Sequence, residues 1–180
     1  LFDESQAGGN EQGLECRALN VRLMLESDDR NGYESLPIAQ VKRSTSGVGL
    51  PEIDDRYIPP LVATDAWTPL SKGIVRGIHD LLLQRVDEVV EMLRDVNIRD
   101  HILEVTQAGR FAFLDRLNDL STTLGVMLPV LGVHPFAAYS ELCRIVGRIS
   151  VYWEEKRVPA LPPYDHDNLG TVFHQVAALI

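Results

Sequence analysis

"TPLSKGIVRGIHDLLLQRVDEVVEMLRDV", residues 68–96, decides the fold. Its apolar residues recur at three or four positions: Leu70, Ile74, Ile78, Leu81/Leu82, Val86, Val89, Leu93 and Val96. That spacing marks one face of an α-helix, and the run is long enough for a rod of about 40 Å at 1.5 Å per residue. Thr68 and Pro69 mark its start. A threonine oxygen can accept an orphan amide, and proline at the first helical position gives up a hydrogen it would not have used. On the wet face, Arg76 with Asp80 and Glu91 with Arg94 stand at pairing distance.

Three further helices follow from the same reasoning. The second runs from about residue 100 to 128 on a stripe of Phe113/Leu114, Leu117, Leu120, Leu124 and Met127/Leu128, and Pro129 ends it. Pro135 opens the third, which turns Tyr139, Leu142/Cys143, Val146, Ile149 and Trp153 inward. The fourth comes after "KRVPALPPY" with Leu169, Val172/Phe173, Val176 and Leu179/Ile180 on one side. Four amphipathic segments on short connections predict an antiparallel bundle. The stripes are broad enough to leave apolar surface for self-association.

Ahead of the helices the period changes. "LNVRLMLES" (19–27) alternates Leu19, Val21, Leu23 and Leu25 against Asn20, Arg22 and Met24, as a half-buried strand does. Asn31-Gly32 supplies a tight reversal, and a second strand from about Tyr33 to Lys42 is expected to return beside the first, with Pro37 at an edge or bulge. A lone hairpin is not independently stable, so these strands call for a sheet supplied from elsewhere. Residues 1–15 are polar and rich in glycine, and residues 47–65 read as a linker. The chain opens on Leu1 and closes on Ile180 inside an apolar pattern, which reads as a piece of a longer protein.

Composition narrows the function. With 45% hydrophobic and 24% charged residues the chain can bury a core. Its net charge of -9, and the absence of any basic face in the sequence, argue against nucleic-acid binding through phosphate neutralisation. The longest apolar run, "LGVMLPVLGV" (124–133), is about half of the ~20 residues a membrane span needs, so no direct membrane insertion is expected. Cys16 and Cys143 read as two reduced thiols rather than a disulfide or metal site.

The most chemical-looking stretch is "LPPYDHDNLG" (161–170). Asp165 is placed to cap the fourth helix by accepting an amide of Asp167 or Asn168, Asp167 complements the helix dipole in the first turn, and Pro162-Pro163 fixes the entry direction. His166 between two acids invites a metal or acid/base reading, but adjacent helical residues diverge by about 100°, and His79, His101, His134 and His174 stand at no ligand spacing to it. His134 reads as a turn residue before Pro135. No catalytic or nucleotide-binding motif appears, so no catalytic, cofactor-binding or metal residue is assigned.

Four segments together resemble a known family. "GYESLPIAQV" (32–41), "RYIPPL" (56–61), "GVHPFAAYSELCRIVGRIS" (132–150) and "VPALPPYDHDNLG" (158–170) are similar, in order, to the TssK baseplate subunits of bacterial type VI secretion systems. The resemblance implies an α+β, mostly α chain: an antiparallel helical bundle (66–180) preceded by the last strands of a β-sandwich "shoulder" (1–46). It implies a non-enzymatic, cytoplasmic homotrimer without cofactors, lying at the inner face of the bacterial inner membrane when assembled. Its partners would be itself, the wedge proteins TssF and TssG, and the membrane-complex proteins TssL and TssM, the last two through a C-terminal head absent from this chain. Oligomer or bundle packing is expected at Leu70, Ile74, Ile78, Leu81, Val89, Leu93, Leu117, Leu120, Leu124, Tyr139, Leu142, Val146 and Trp153. Caps and turns are expected at Thr68, Pro69, Pro135, Pro162, Pro163 and Asp165. Two alternatives from other classes are a helical sensor domain holding a small ligand between helices and a metal-dependent enzyme at Asp165-His166-Asp167.

Overall fold

The computed structural model describes residues 20–43, 50–94 and 107–180 in full, and the backbone of 101–106. Expectations at Cys16, Leu19, Val96 and the His101 side chain, and for residues 1–15, fall outside the described residues. The chain divides into two units, residues 1–35 and 36–180.

In the first unit the Asn31-Gly32 reversal forms, with Gly32 at φ +80° and the Tyr33 amide bonded to the Arg30 carbonyl at 3.0 Å. The expected hairpin does not: residues 20–35 hold no strand, and Val21 and Leu23 are 82% and 87% exposed. The alternation is present without the ladder partner that would make it a strand.

In the second unit the ladder among the described residues is short and antiparallel. It joins β1 (Val41–Lys42) to β2 (Glu52–Ile53) in the register Val41 to Ile53 and Lys42 to Glu52. The chain then dives inward at Ile58, which is 1% exposed, and is tied to the far side of the bundle where Thr64 donates its amide to the Val133 carbonyl at 2.8 Å.

The first long helix begins differently from the sequence expectation. Pro69–Val75 form a wide, π-helical opening that runs into α1 (Arg76–Arg94). Thr68 is not a side-chain cap: at φ -54° and ψ -42° it is already helical and its hydroxyl accepts no cap amide. A capping side chain needs an extended backbone beneath it, and here the extended residue is Trp67, whose carbonyl receives the amides of both Leu70 and Ser71 at 3.1 Å. The wide opening also resets the apolar phase. Burial steps from Leu70 to Val75, five residues on, and then to Ile78, Leu82 and Val89. Leu81, expected inside, is therefore turned out at 36% exposure while Leu82 is 3% exposed. Neighbouring positions on a helix point about 100° apart, and only one of the pair can face the core.

α2 (His101–Met127) lies antiparallel to α1: Arg110 reaches the Met92 carbonyl near one end, and His79 sits beside Gly125 near the other. α3 (Pro135–Ile149) reverses again, with Arg144 bonded to Asp119 at 3.2 Å and Tyr152, in the 3-10 turn after α3, edge-on to Phe113 with ring centroids 4.5 Å apart. Trp153 lies beyond α3 rather than within it and packs partly against the core. The short α4 (Leu169–Ala177) packs on α3 and on the wide opening of α1. One core joins Ile58, Leu70, Ile78, Leu82 and Val89 with Leu117, Leu120 and Leu124 of α2, Leu142, Ile145 and Val146 of α3, and Leu169, Phe173 and Val176 of α4. The architecture is thus mostly helical with a small two-stranded antiparallel sheet. Among the described residues no helix is long and apolar enough to cross a membrane.

Candidate functional site: the crossing segment and its cleft

The polypeptide from Leu161 to Gly170 crosses from α3 to α4, and several of its polar groups have structural partners. Tyr139, one turn into α3, donates its hydroxyl to the Pro162 carbonyl. Asp165 is extended at φ -129° and ψ 111°, and its Oδ1 accepts the Asp167 amide at 3.0 Å. That bond closes the turn His166–Asn168, on which α4 is built. Gly170 then sits where a side chain has no room: a Cβ there would stand 2.6 Å from the Arg56 carbonyl oxygen. The crossing segment and the chain that enters the bundle at 56–58 are therefore in backbone contact.

Aromatic rings hold the same segment to the start of α3. Tyr164 packs edge-on against Phe136 with centroids 5.1 Å apart and lies 5.3 Å from the Tyr139 ring. The Tyr164 hydroxyl and His166 Nδ1 are 2.8 Å apart. His166 in turn stacks on His134, centroids 5.4 Å apart and planes within 10°. His134 is more than a turn residue, since its Nδ1 accepts the Phe136 amide at 3.1 Å and caps α3 immediately before Pro135. No spacing in the sequence signals this pair. Two residues 32 positions apart meet only because each begins a helix at the same end of the bundle.

The titratable groups here are moved away from reactivity. Burial, with a hydrogen bond to Cys143 added, pushes the Tyr139 hydroxyl up to about 12. Burial likewise raises the Cys143 thiol and the Tyr164 hydroxyl. A thiol and two phenols so placed stay protonated at neutral pH and serve as packing and hydrogen-bond donors. The carboxylate oxygen of Asp165 is engaged by a backbone amide, and no three His, Cys, Asp or Glu side chains among the described residues gather as metal ligands.

A surface cleft of about 290 Å³ opens beside this segment, between residues 54–57 and α4, with Tyr57, Asn168, Thr171 and His174 on its walls. Asp54 on its wall belongs to a small charge network: the Arg56 amide holds the Asp54 carboxyl below its ordinary range, and Lys42, itself raised by Asp55 and Asp54, adds to that. None of the lining residues comes from α1, α2 or α3, so this is not a ligand chamber between bundle helices.

The remaining predicted residues are packing residues in one chain. Leu70, Ile78, Val89, Leu117, Leu120, Leu124, Leu142 and Val146 are buried, and Ile74, Leu93, Tyr139 and Trp153 pack partly against them. These positions, expected to pack in the bundle or between copies, are covered within the protomer. The apolar residues left outside are others, among them Leu83, Met92 and Phe111.

The profile of the family described as Bacterial Type VI secretion (EvfL, ImpJ, VasE) matches residues 1–180. The chain belongs to this family, that of the TssK proteins. Among solved structures it is similar to TssK from the type VI secretion system of EAEC in complex with a nanobody, at 28% identity and a TM-score of 0.67 over 80% of this chain and 50% of that one. It is similar also to a chain of a baseplate complex from the type VI secretion system, at 27% identity and a TM-score of 0.67 over 80% of this chain and 32% of that one. A TssK-TssF-TssG baseplate subcomplex, at 23% identity and a TM-score of 0.66 over 86% of this chain and 46% of that one, shares the fold. The chain spans half or less of these TssK-type relatives. Among curated proteins no match reaches significance.

Proposed function

We propose that the protein is a structural subunit of a type VI secretion baseplate, working as a cytoplasmic homotrimer that joins the baseplate wedge to the inner-membrane complex. The observation that carries this reading is the family match over the whole chain, together with the two solved relatives at 27% and 28% identity. The site chemistry agrees: around residues 139–170 each notable side chain caps a helix, fastens a loop or fills the core. On this reading the protein is not an enzyme. TssF and TssG are its wedge partners, by analogy with the TssK-TssF-TssG subcomplex. TssL and TssM are reached through a C-terminal head outside the present chain.

The domain plan belongs to the same proposal. Residues 1–46 are the last strands of a β-sandwich shoulder, 47–65 a linker and 66–180 the bundle. The alternating Val21, Leu23 and Leu25, exposed here, then find their partners in the rest of that sandwich. Affinity purification of the full-length protein from its native cell tests the assignment: recovery of wedge, sheath or inner-membrane secretion components is expected. A full-length protein of strictly monomeric mass that brings down none of them would refute it.

A further inference from the structure

We propose that the cleft between residues 54–57 and α4 is a docking site for an extended stretch of another subunit's polypeptide, gripped by its backbone amides; this takes as given that the protein is a subunit of an assembly. α4 is two-faced. Leu169, Val172, Phe173 and Val176 are buried, while Asn168, Thr171 and Gln175, at i, i+3 and i+7, line the cleft. Gln40 and Tyr57 line it as well. Each of these five side chains carries both a hydrogen-bond donor and an acceptor, and none is spent on a hydrogen bond among the described residues. Asn168 stands at the N-cap of α4 and caps nothing. Elsewhere in the bundle the hydroxyls of Thr64, Ser71, Thr123, Ser140 and Ser150 are all bonded back to backbone carbonyls. Four of the five cleft residues are exposed, and Tyr57 is half-buried with its hydroxyl still open to solvent.

Charge and shape select the occupant. Lys42 lies 3.3 Å from both Asp54 and Asp55, and Arg56 is within electrostatic reach of Asp54, so two cations face two carboxylates and no field is left for an ion. An anion offers only acceptors and a cation only donors, and either would leave half of the wall's capacity unused. A peptide group offers one N–H and one C=O, which matches groups that carry both. At about 290 Å³ the cleft lies just under the ~300–1,000 Å³ of small-molecule sites, and its polar, open walls cannot enclose the roughly 70–90% of a free ligand that such sites bury. A stretch of chain whose flanks rest outside needs no such enclosure. The walls are also preformed: the Asp54 amide holds the Gln40 carbonyl at 2.7 Å, the Tyr57 amide holds the Asp54 carbonyl at 3.1 Å, and Gly170 abuts the Arg56 backbone.

The test is made in the native cell, with Thr171 of the full-length protein replaced by a photoreactive benzoylphenylalanine. Thr123, exposed on α2 and outside the cleft, takes the same replacement as the control. An adduct is expected from position 171 and not from 123, mapping by mass spectrometry to one short stretch of a different baseplate protein. A synthetic peptide of that stretch is expected to bind the unsubstituted full-length protein, and to bind roughly tenfold more weakly when its backbone amides are N-methylated or when the protein carries Asn168→Ala and Gln175→Ala. Absence of an adduct at 171 in a protein that still recovers the wedge overturns the docking site and leaves the proposed function standing. An adduct only to the protein's own sequence overturns it too, as does a peptide indifferent to N-methylation, a readout that does not depend on the variant's folding. An adduct to a protein outside the secretion machinery that passes the N-methylation test upholds the docking site and refutes the baseplate assignment.

Discussion

Residues 20–42 and residues 58–177 are about equally well patterned, yet one set of apolar side chains is exposed and the other is enclosed. Val21, Leu23, Leu25, Leu36, Ile38 and Val41 stand between 54% and 87% exposed, whereas Leu70, Leu120, Leu124 and Leu142 are at 0%. The difference lies in where each element finds its hydrogen-bond partners. A helix satisfies its backbone within itself and needs only neighbouring stripes to cover its face, and α1 to α3 lie next to one another in sequence. A strand needs a second strand for its backbone and a sheet for its face, and a hairpin arm alone supplies neither securely. Pattern alone therefore closes the helical region and leaves the strand-like region waiting.

The sharpest way to break that contrast is at the centre of the enclosed set. Phe173 on α4 is fully buried where α4 meets α3 and the wide opening of α1. Phe173→Ala is expected to destabilise the protein by about 3–5 kcal/mol in denaturant unfolding followed by helical circular dichroism. A loss below about 1 kcal/mol would mean that α4 is an accessory to the core rather than part of it.

Smaller, and opposite in sign at two glycines, is the effect of adding one methyl group. At Gly170 a Cβ meets backbone on both counts, the Arg56 carbonyl oxygen at 2.6 Å and the Ile58 nitrogen at 3.1 Å, so the crossing segment and residues 56–58 must part. Gly170→Ala is expected to cost about 1–3 kcal/mol. At Gly77, in α1, nothing lies within 4 Å, and Gly77→Ala is expected to stabilise by up to about 1 kcal/mol through helix propensity. Thermal unfolding of both variants separates the two, and equal shifts would remove the close approach from the account.

The next test concerns what was legible in the sequence. The presence of α1, α3 and α4 and the inward positions of α2 and α3 follow from period and proline placement, because those are local rules, whereas their ends do not: Trp153 lies beyond α3, and α4 stops at Ala177. Asp165 as a cap was readable for the same reason, since the residues it serves are two and three positions on. Thr68 was misread because the helix opens wide at Pro69–Val75 with Thr68 already in helical geometry, and Leu81 rather than Leu82 turns outward. The His134–His166 stack was invisible because it depends on two helices starting side by side. Asp165→Ala is accordingly expected to cost about 1 kcal/mol, while Thr68→Ala stays within about 0.5 kcal/mol. Equal losses in urea unfolding would restore the threonine cap.

The smallest effect is expected on the exposed side of the contrast. Leu23 is 87% exposed in this chain and lies in a stretch without strand structure, so exchanging it for a charge removes no burial and leaves no unpaired group. Leu23→Asp should therefore leave the helical melting transition of this chain within about 0.5 kcal/mol of the parent, even though the same exchange at a core leucine would be disabling. A shift above about 1 kcal/mol would show that residue 23 is covered after all, and the two regions would then differ in period but not in how they are held. An unchanged melt would keep the contrast as drawn: the same residue type carries stability where neighbouring stripes cover it and none where nothing does.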